Sequence, residues 1–368
     1  MLKELEQLSD FRRKQGQRYD LKSLIFISVL AILSEASSYR KIQTFMEGRF
    51  DDLKEKLNLK WKKAPSYSTI RNAIQGVSSE ELETIFRSDA KTRLDRLKEP
   101  NEILEFSADG KSVNGSFDHF KDVKAIQILS VFCNNKKLII AHEEIAEKTN
   151  EIPVAQKLIP SLPMKNSTFT CDALNCQTNT VSKIADSGNE FVVQVKNNQK
   201  SLLDDAILTA DSLQPIDTHK EIPEKEHGRI TSRTTSVFDT SIIRNKDQKW
   251  NQINCIIEVQ RDRKIFSTKE KKYKDSSEIS YYISTKIYSA EKFNAIIRGH
   301  WGIENSNHYV RDVSMKEDAS RIRINPQNMV KLKSFALNIL RSSGVKNIAR
   351  RLYQNAVNFN RLFELEIE

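Results

Sequence analysis

The spacing of apolar positions divides the chain into two regimes, and the first is helical. Between Leu21 and Ala36 the Leu, Ile and Ala residues recur at helical rather than alternating intervals. The run LIFISVLAIL at 24–33 is ten residues, about half of what crosses a bilayer, so it predicts a buried helix. SSYRKIQTFMEGRFDDLKEKL reads as one or two amphipathic helices. In KKAPSYSTIRNAIQ, Pro65 and Ser66 form a turn and N-cap, and a helix from about Tyr67 places Ile70, Ala73 and Ile74 on one face. Ser68, Arg71 and Asn72 then point outward behind Lys62 and Lys63. That pattern is compatible with a helix-turn-helix reader of DNA, and any surface helix shares it.

From about Ile103 the period changes. EILEFSADGKSV, KAIQILSVFCNN and KKLIIAHEEI predict three successive strands with short turns. VAQKLIPSL reads as a helix, STFTCDAL as a fourth strand, CQTNTVSKIADSG as a helix ending at Gly188, and NEFVVQVK as a fifth strand. Three meandering strands followed by strands alternating with helices is the order of a ribonuclease H-like mixed sheet. Residues 203–285 break the rhythm: RITSRTTSVF, WNQINCIIEVQRD and SEISYYISTK alternate with few helical signals. The expected fold is therefore α/β, a ribonuclease H-like mixed sheet with a mostly β insertion behind an all-helical N-terminal domain. Its expected boundaries are 1–98 for the helical domain, 99–202 with 286–345 for the sheet domain, 203–285 for the insertion and 346–368 for a tail.

Length and charge narrow the class. At 368 residues the chain suits two or three domains. Its 59 Lys and Arg against 49 Asp and Glu give a net charge of +10. Residues 1–98 hold 20 basic and 14 acidic side chains, so the surplus is front-loaded, as in a protein that grips a polyanion. A merely soluble basic surface gives the same count. The four cysteines, Cys133, Cys171, Cys176 and Cys255, are too few for a disulfide framework and read as small buried apolar residues. The start MLKELEQLSD is polar and mixed in charge, unlike a secretory signal. A cytoplasmic, soluble and basic protein without a membrane span is expected.

Three acids occupy positions that this sheet makes meaningful. Asp109 closes the first strand ahead of Gly110-Lys111, and Asp172 closes the fourth ahead of ALNCQ. Adjacent strand ends bring two carboxylates close, a costly arrangement unless a cation neutralises it. Hard divalent ions accept such oxygen ligands, which points to Mg2+, with Mn2+ able to substitute. Two such ions would serve an in-line displacement at phosphorus. Either Asp alone is equally a simple strand-end cap. In RGHWGIENSNHYVRD, a helix puts His300, Glu304, His308 and Arg311 on one face. A carboxylate among cations suits metal and phosphate together. A salt-bridged solvent face or a zinc site through His300, Glu304 and His308 would share the spacing, although the H-E-x-x-H order is missing.

Together these segments resemble the DDE transposases of the H-repeat-associated insertion-sequence family, the ISAs type. The resemblance rests on SADGKSVNGS at 107–116, EKTNEIP at 147–153, TCDALNCQ at 170–177, VQVKNNQ at 193–199, EHGRITSR at 226–233 and IRGHWGIENSNHYVRDVSMKEDASRIR at 297–323. YDLKSLIFISVLAILSEASSYRKIQTF resembles the helical domain associated with the family. Asn114, Tyr309 and Met315 depart from its pattern, which has Arg, Trp and Phe there. The resemblance implies metal-dependent phosphodiester cleavage and strand transfer at the ends of an insertion sequence, with Asp109, Asp172 and Glu304 as catalytic residues and metal ligands. It also implies double-stranded DNA with terminal inverted repeats, a target DNA, and a homodimer in the DNA complex.

The remaining candidates are DNA contacts. Lys196, Asn198 and Gln199 follow the fifth strand, where the resemblance favours a loop reaching the DNA over a plain polar turn. His227, Arg229 and Arg233 alternate onto one strand face as a phosphate-facing stripe. An exposed strand face has the same pattern. Lys111, Arg298, His300, Arg311 and Arg71 join the expected DNA path. Trp301 is evenly divided between stacking on an unpaired base and burial, and Trp250 is expected in the core. Arg321, Arg323, Lys331 and Lys333 extend the basic track or form a solvated face. Two rivals share these features: a two-metal nuclease that transfers nothing, and a non-catalytic DNA-binding derivative.

Overall fold

The computed structural model describes residues 1–118, 120, 122–147, 149–226, 228–243, 249–267 and 272–367. In chain order the elements begin with α1 (Leu21–Ile32), α2 (Tyr39–Gly48), α3 (Phe50–Lys56), α4 (Tyr67–Gly76) and α5 (Ser79–Leu97). β1 (Glu105–Ser112), β2 (Gln127–Cys133), β3 (Leu138–Ile145), α6 (Glu151–Ser161), β4 (Thr168–Cys171), α7 (Thr178–Asp186), β5 (Glu190–Val195) and α8 (Lys200–Ser212) follow. Then come β6 (Asp217–Lys220), β7 (Glu224–Glu226), β8 (Arg229–Phe238), β9 (Cys255–Ser267) and β10 (Lys272–Ser284). The chain ends with α9 (Ala290–His300), α10 (Pro326–Ser342) and α11 (Ile348–Val357). It forms two compact units: residues 1–102, 110–150 and 303–368, and residues 103–109 and 151–302.

The first unit is built on helices from both ends of the chain. α1 is buried along most of its length, as its apolar run demands, and Asp20 caps it by accepting from the Ser23 amide at 2.9 Å. Ser66 caps α4 in the same way, and Ile70, Ala73 and Ile74 are its buried face. The partner of these helices is α10. Phe335 of α10 meets Phe86 of α5 edge to face at 5.0 Å. Asn328 donates to the Ile74 and Val77 carbonyls, which satisfies the end of α4. Lys331 and Lys333 are buried on α10, not solvated. The Lys331 ammonium donates to the Ser79 carbonyl at 2.6 Å, a bond that spares it the cost of an unpaired buried charge.

The hairpin of β2 and β3 packs with α5 and α10 in this unit. There the imidazole of His142 lies between Glu83 (3.2 Å) and Ser334 (3.0 Å), all three buried. Burial pushes the His142 pKa down against the opposing pull of Glu83, and the surrounding cations hold the Glu83 carboxyl below its usual range despite its own burial.

The second unit is a mixed sheet in the order β1-β4-β5-β10-β9-β8-β6, with β7 paired to β8. β1, β4 and β5 are parallel neighbours, and β10 joins β5 antiparallel. Strands expected as a separate insertion therefore continue the ladder that carries Asp109. Residues 200–212 form α8, a helix where sequence patterning gave β structure. Its buried positions are Leu202, Asp205, Ala206 and Thr209, so half of its inward stripe is polar and the apolar signal was diluted. α9 covers one sheet face through a cluster of Val237, Ile257, Val259, Phe293 and Ile296. Trp250 and the four cysteines are buried, as expected.

Two expectations follow from the first unit. Residues 1–98 expressed alone lack α10, so the fragment should show no cooperative thermal transition and should bind a hydrophobic dye. A sharp melt would mean that α10 is dispensable to this core. The second concerns pH. A buried histidine with a lowered pKa favours the deprotonated fold, so stability is complete above the unfolded value near 6.5 and declines as pH falls below it. The unfolding free energy from urea titration should drop between pH 7 and 5, by up to about 1.4 kcal/mol per pH unit for His142. His142→Gln should flatten that decline; the same slope in wild type and variant would exclude His142 as its source.

Candidate active site

Asp109 and Asp172 come together in the second unit. β1 and β4 pair with Ala108 opposite Cys171, so the two aspartates occupy the next position on neighbouring parallel chain segments. Asp109 does not close its strand as expected, because β1 runs on to Ser112, whereas Asp172 directly follows the last residue of β4. Stacked Phe106 and Phe169 (5.0 Å) and the hydroxyls of Ser107 and Thr170 (2.9 Å) fix that register from below. Asp172 also accepts from the Ala173 amide at 2.7 Å, so it does cap the following turn. The buried Cys171 thiol records the local charge. Its pKa is pushed well up, first by burial and then by the carboxylates of Glu151, Asp109 and Asp172. Glu151, at the start of α6, holds Asn175 at 2.8 Å and was not singled out from the sequence. Its only signal was its place inside the EKTNEIP segment.

The surroundings of Asp172 come from three further segments of this unit. His300, the last residue of α9, is half-buried and its Nδ1 meets the Thr170 hydroxyl at 2.9 Å. Burial lowers its pKa and the charge of Asp172 opposes that shift, so it is a neutral ring facing the sheet and not an outward cation. Lys196 is exposed beyond β5, while Asn198 donates to the Ala173 carbonyl (2.9 Å) and Gln199 to Gln177 (3.1 Å). Asp172, Leu174, Lys196, Asn198, Ile279 and Tyr281 are among the residues lining an open groove of about 600 Å³. Trp301 is 49% exposed.

Glu304 belongs to the first unit and is exposed there. The expected single face from 300 to 311 does not form. α9 stops at His300, and the chain resumes as wide π-helical turns at Ile303–His308 and Val310–Ser314. More residues per turn shift each later side chain around the axis, and Arg311 ends inside. It is 1% exposed, with its guanidinium 2.7 and 3.2 Å from Glu317. Burial drives the His308 pKa down to about 3.

Lys111 is likewise a structural cation. Its ammonium lies 2.7 Å from Asp312, 3.1 Å from Asp318 and 3.5 Å from Glu317, which raises its pKa despite burial. A cation enclosed by three carboxylates is not available to a phosphate, so Lys111 and Arg311 leave the expected DNA path. Asn114 donates to Asp318 through both its amide nitrogens, and a Cβ on Gly115 would meet the Ser320 carbonyl oxygen at 2.1 Å. Only glycine permits that approach.

Of the remaining candidates, Arg229 is exposed and Arg233 pairs with Glu221 at 3.3 Å. Arg298 pairs with both Glu221 and Glu224. Arg71 lies on the outer side of α4, its guanidinium over the Tyr67 ring at 5.6 Å. His227 lies outside the described residues. Among the described residues no group of three His, Cys, Asp or Glu is preassembled around a metal position. The donors present, two hard carboxylates on neighbouring parallel segments, are of the type Mg2+ accepts. No helix among the described residues is long and apolar enough to cross a membrane.

Comparison with known proteins places this geometry. Residues 2–88 match the DDE_Tnp_1-associated family, and residues 101–339 match the Transposase DDE domain. YncI of Escherichia coli O157:H7, a transposase by name, is 30% identical over 365 residues, covering 95% of this chain and 90% of YncI. YhhI of E. coli K12, by name an H repeat-associated transposase, is 26% identical over 373 residues, covering 98% and 96%. YbfL of the same strain is 26% identical over 370 residues, again covering 98% and 96%. With the domain match spanning well over half of its length, the chain belongs to the DDE transposase family.

Proposed function

We propose that the chain catalyses phosphodiester cleavage and strand transfer at the ends of an insertion sequence, in a ribonuclease H-like catalytic domain. The observation that carries this reading is the position of Asp109 and Asp172, each one residue past the paired Ala108 and Cys171 of adjacent parallel strands. With Glu304 they supply three carboxylates for Mg2+, or Mn2+ in its place. The bound ions would polarise the scissile phosphate and lower the pKa of the attacking hydroxyl. The protein's own part is to keep the register of β1 and β4 fixed. Neutral His300 braces the strand end through Thr170 without adding a charge that would compete with the ions.

Lys196, Gln199, Arg229, Arg233, Arg298 and Arg71 are the proposed DNA contacts, with Trp301 placed to stack on a base. The substrate is double-stranded DNA bearing terminal inverted repeats, joined to a target DNA by a homodimer of the chain. End recognition is assigned to residues 1–98, sheet chemistry to 99–202 with 286–345, and further DNA contact to 203–285. Residues 346–368 are the tail. The fold core shared by α10 and the N-terminal helices means that recognition is to be tested by point substitution, since truncation would remove partners of α10.

Isosteric substitution tests the acids. Asp109→Asn, Asp172→Asn and Glu304→Gln each keep volume, and the side-chain carbonyl introduced by Asp172→Asn can still accept from the Ala173 amide. Each should abolish strand cleavage in Mg2+ while duplex affinity changes less than about threefold, because backbone contacts are untouched. Near wild-type cleavage by any one would remove that residue from the triad. A paired experiment separates DNA contacts from structural cations. Lys196→Ala should flatten the dependence of log affinity on log salt by about one unit. Lys111→Ala should leave that slope alone and cost about 3–5 kcal/mol of stability, the usual effect of orphaning a buried ion pair. The reverse outcome, read by salt titration and urea unfolding, would restore Lys111 as a DNA contact.

A further inference from the structure

The sheet face beneath α9 changes character along β8, β9 and β10. Near α9 it is apolar, with Val237, Ile257 and Val259 in the shared cluster and Tyr282 packed against it. Side chains two residues apart share a face, so the same face next carries Arg233, Arg261 and Glu278 as directly paired positions. The following rung is Thr231, Arg263 and Ser276, and the one beyond it Arg229, Ile265 and Lys274. Arg233 and Arg261 are cross-strand neighbours of like charge, an arrangement that destabilises a sheet. Arg263 stands beside them.

The carboxylates present do not neutralise this group. Glu278 is mostly in solvent and lies 3.6 Å from Arg261 and 3.8 Å from Arg263, beyond hydrogen-bonding distance. Glu221 reaches Arg233 but is shared with Arg298 and Asn294. The Nε of Arg261 is buried without a hydrogen-bond partner, on a side chain only 16% exposed. Burial and the charges of Arg233 and Arg263 all pull the Arg261 pKa below its ordinary value. Repelling guanidiniums with an unused donor form a site that an anion would relieve. Guanidinium forks match the oxygens of a phosphate, and several on one strand face match a repeating one.

We propose that Arg233, Arg261 and Arg263 form a phosphate-binding site on the β-rich segment that grips the sugar–phosphate backbone of the DNA. It rests on the transposase reading, and adds Arg261 and Arg263 to the residues that contact substrate. The site reads no sequence, because phosphate contacts position the duplex and do not specify it. Its ligand also explains why the repulsion is tolerated: stability is given up in the free protein for charge complementarity in the complex.

The test uses the full-length chain carrying Arg261→Gln with Arg263→Gln, and fluorescence anisotropy with two labelled duplexes of unrelated sequence over a salt series. The double variant should bind both duplexes more weakly by the same factor, with the log–log salt slope shallower by about one to two units. Its unfolding temperature should equal or exceed that of wild type, since like charges have been removed. Glu278→Gln should tighten binding to both duplexes. If wild type binds and the double variant keeps the full salt slope, the arginine site is wrong while the transposase reading stands. A double variant that melts below wild type would make the cluster structural and also overturn the site. Wild type that binds neither duplex at any salt concentration would overturn the reading beneath it as well.

Discussion

Three cations and three carboxylates meet inside the first unit, and the winding of the segment that carries Glu304 depends on how they are satisfied. Lys111, Arg311 and Lys333 face Asp312, Glu317 and Asp318. Burial opposes the charges of Lys111, Lys333, Asp312 and Glu317, and for Glu317 the neighbouring cations win, holding its carboxyl below the usual range. Lys333, with weaker compensation, is pulled down to about 8. A buried network of this kind adds little net stability over an apolar core, but removing one member leaves its partner uncompensated. Its value is geometric. It ties the last residues of β1, through Lys111, to residues 312–318. The two π-helical stretches, which carry Glu304 in the first and Arg311 and Asp312 in the second, are the sort of irregular winding that only such over-determined contacts retain. The Arg341 guanidinium adds a second tether, donating to the carbonyl of Ser306.

The second dependence is on α10. Helix α10, distant in sequence, supplies part of the surface on which the first hundred residues pack. Asn328 closes the end of α4, Phe335 fills the space beside Phe86, and Asn338 makes paired hydrogen bonds with the backbone of Ile139 in β3. Helix α11 repeats the pattern with Asn355, whose amide donates to the carbonyl of Leu33 at the end of α1. Asn338 uses both the donor and the acceptor of its amide, whereas Asn328 and Asn355 use the donor alone to satisfy carbonyls left over at helix ends.

These contacts set the limit of what could be read from the chain alone. Local signals gave α1, α4 with its Ser66 cap, the strands from β1 to β5 and the helix at α10, because spacing and capping are properties of a few consecutive residues. The end of β4 at Asp172 was legible for the same reason, whereas β1 continues past Asp109 to Ser112. What escaped depends on partners far away in sequence. Lys331 and Lys333 look like a solvated stripe until Ser79, Glu317 and the rest of the core surround them. Lys111 looks like a phosphate ligand until Asp312, Glu317 and Asp318 close over it, and Arg311 looks outward only on an α-helix that does not continue past His300. α8 escaped for a more local reason, since Asp205 and Thr209 occupy half of its buried face. In the candidate site, Glu151 lacked any spacing rule that tied it to Asp109 and Asp172; the charge felt by Cys171 reveals it.

The β-rich segment shows how one constraint can enforce another. A two-residue period gathers Arg233, Arg261 and Arg263 on one face, and the sheet cannot relieve their repulsion by slipping. A shift of β9 by a single residue would turn Arg261 and Arg263 to the opposite face, but it would also withdraw Ile257 and Val259 from beneath Phe293 and Ile296. Each buried aliphatic side chain withdrawn would cost about 1.5–3 kcal/mol, more than a partly solvated like-charge contact returns. The apolar end of each strand therefore locks the charged end in place. Because β10 continues the ladder through β5 to β4, that lock is shared with the strand whose end carries Asp172. The arginine face and the carboxylate pair are thus held in one hydrogen-bonded register, set by residues that touch neither.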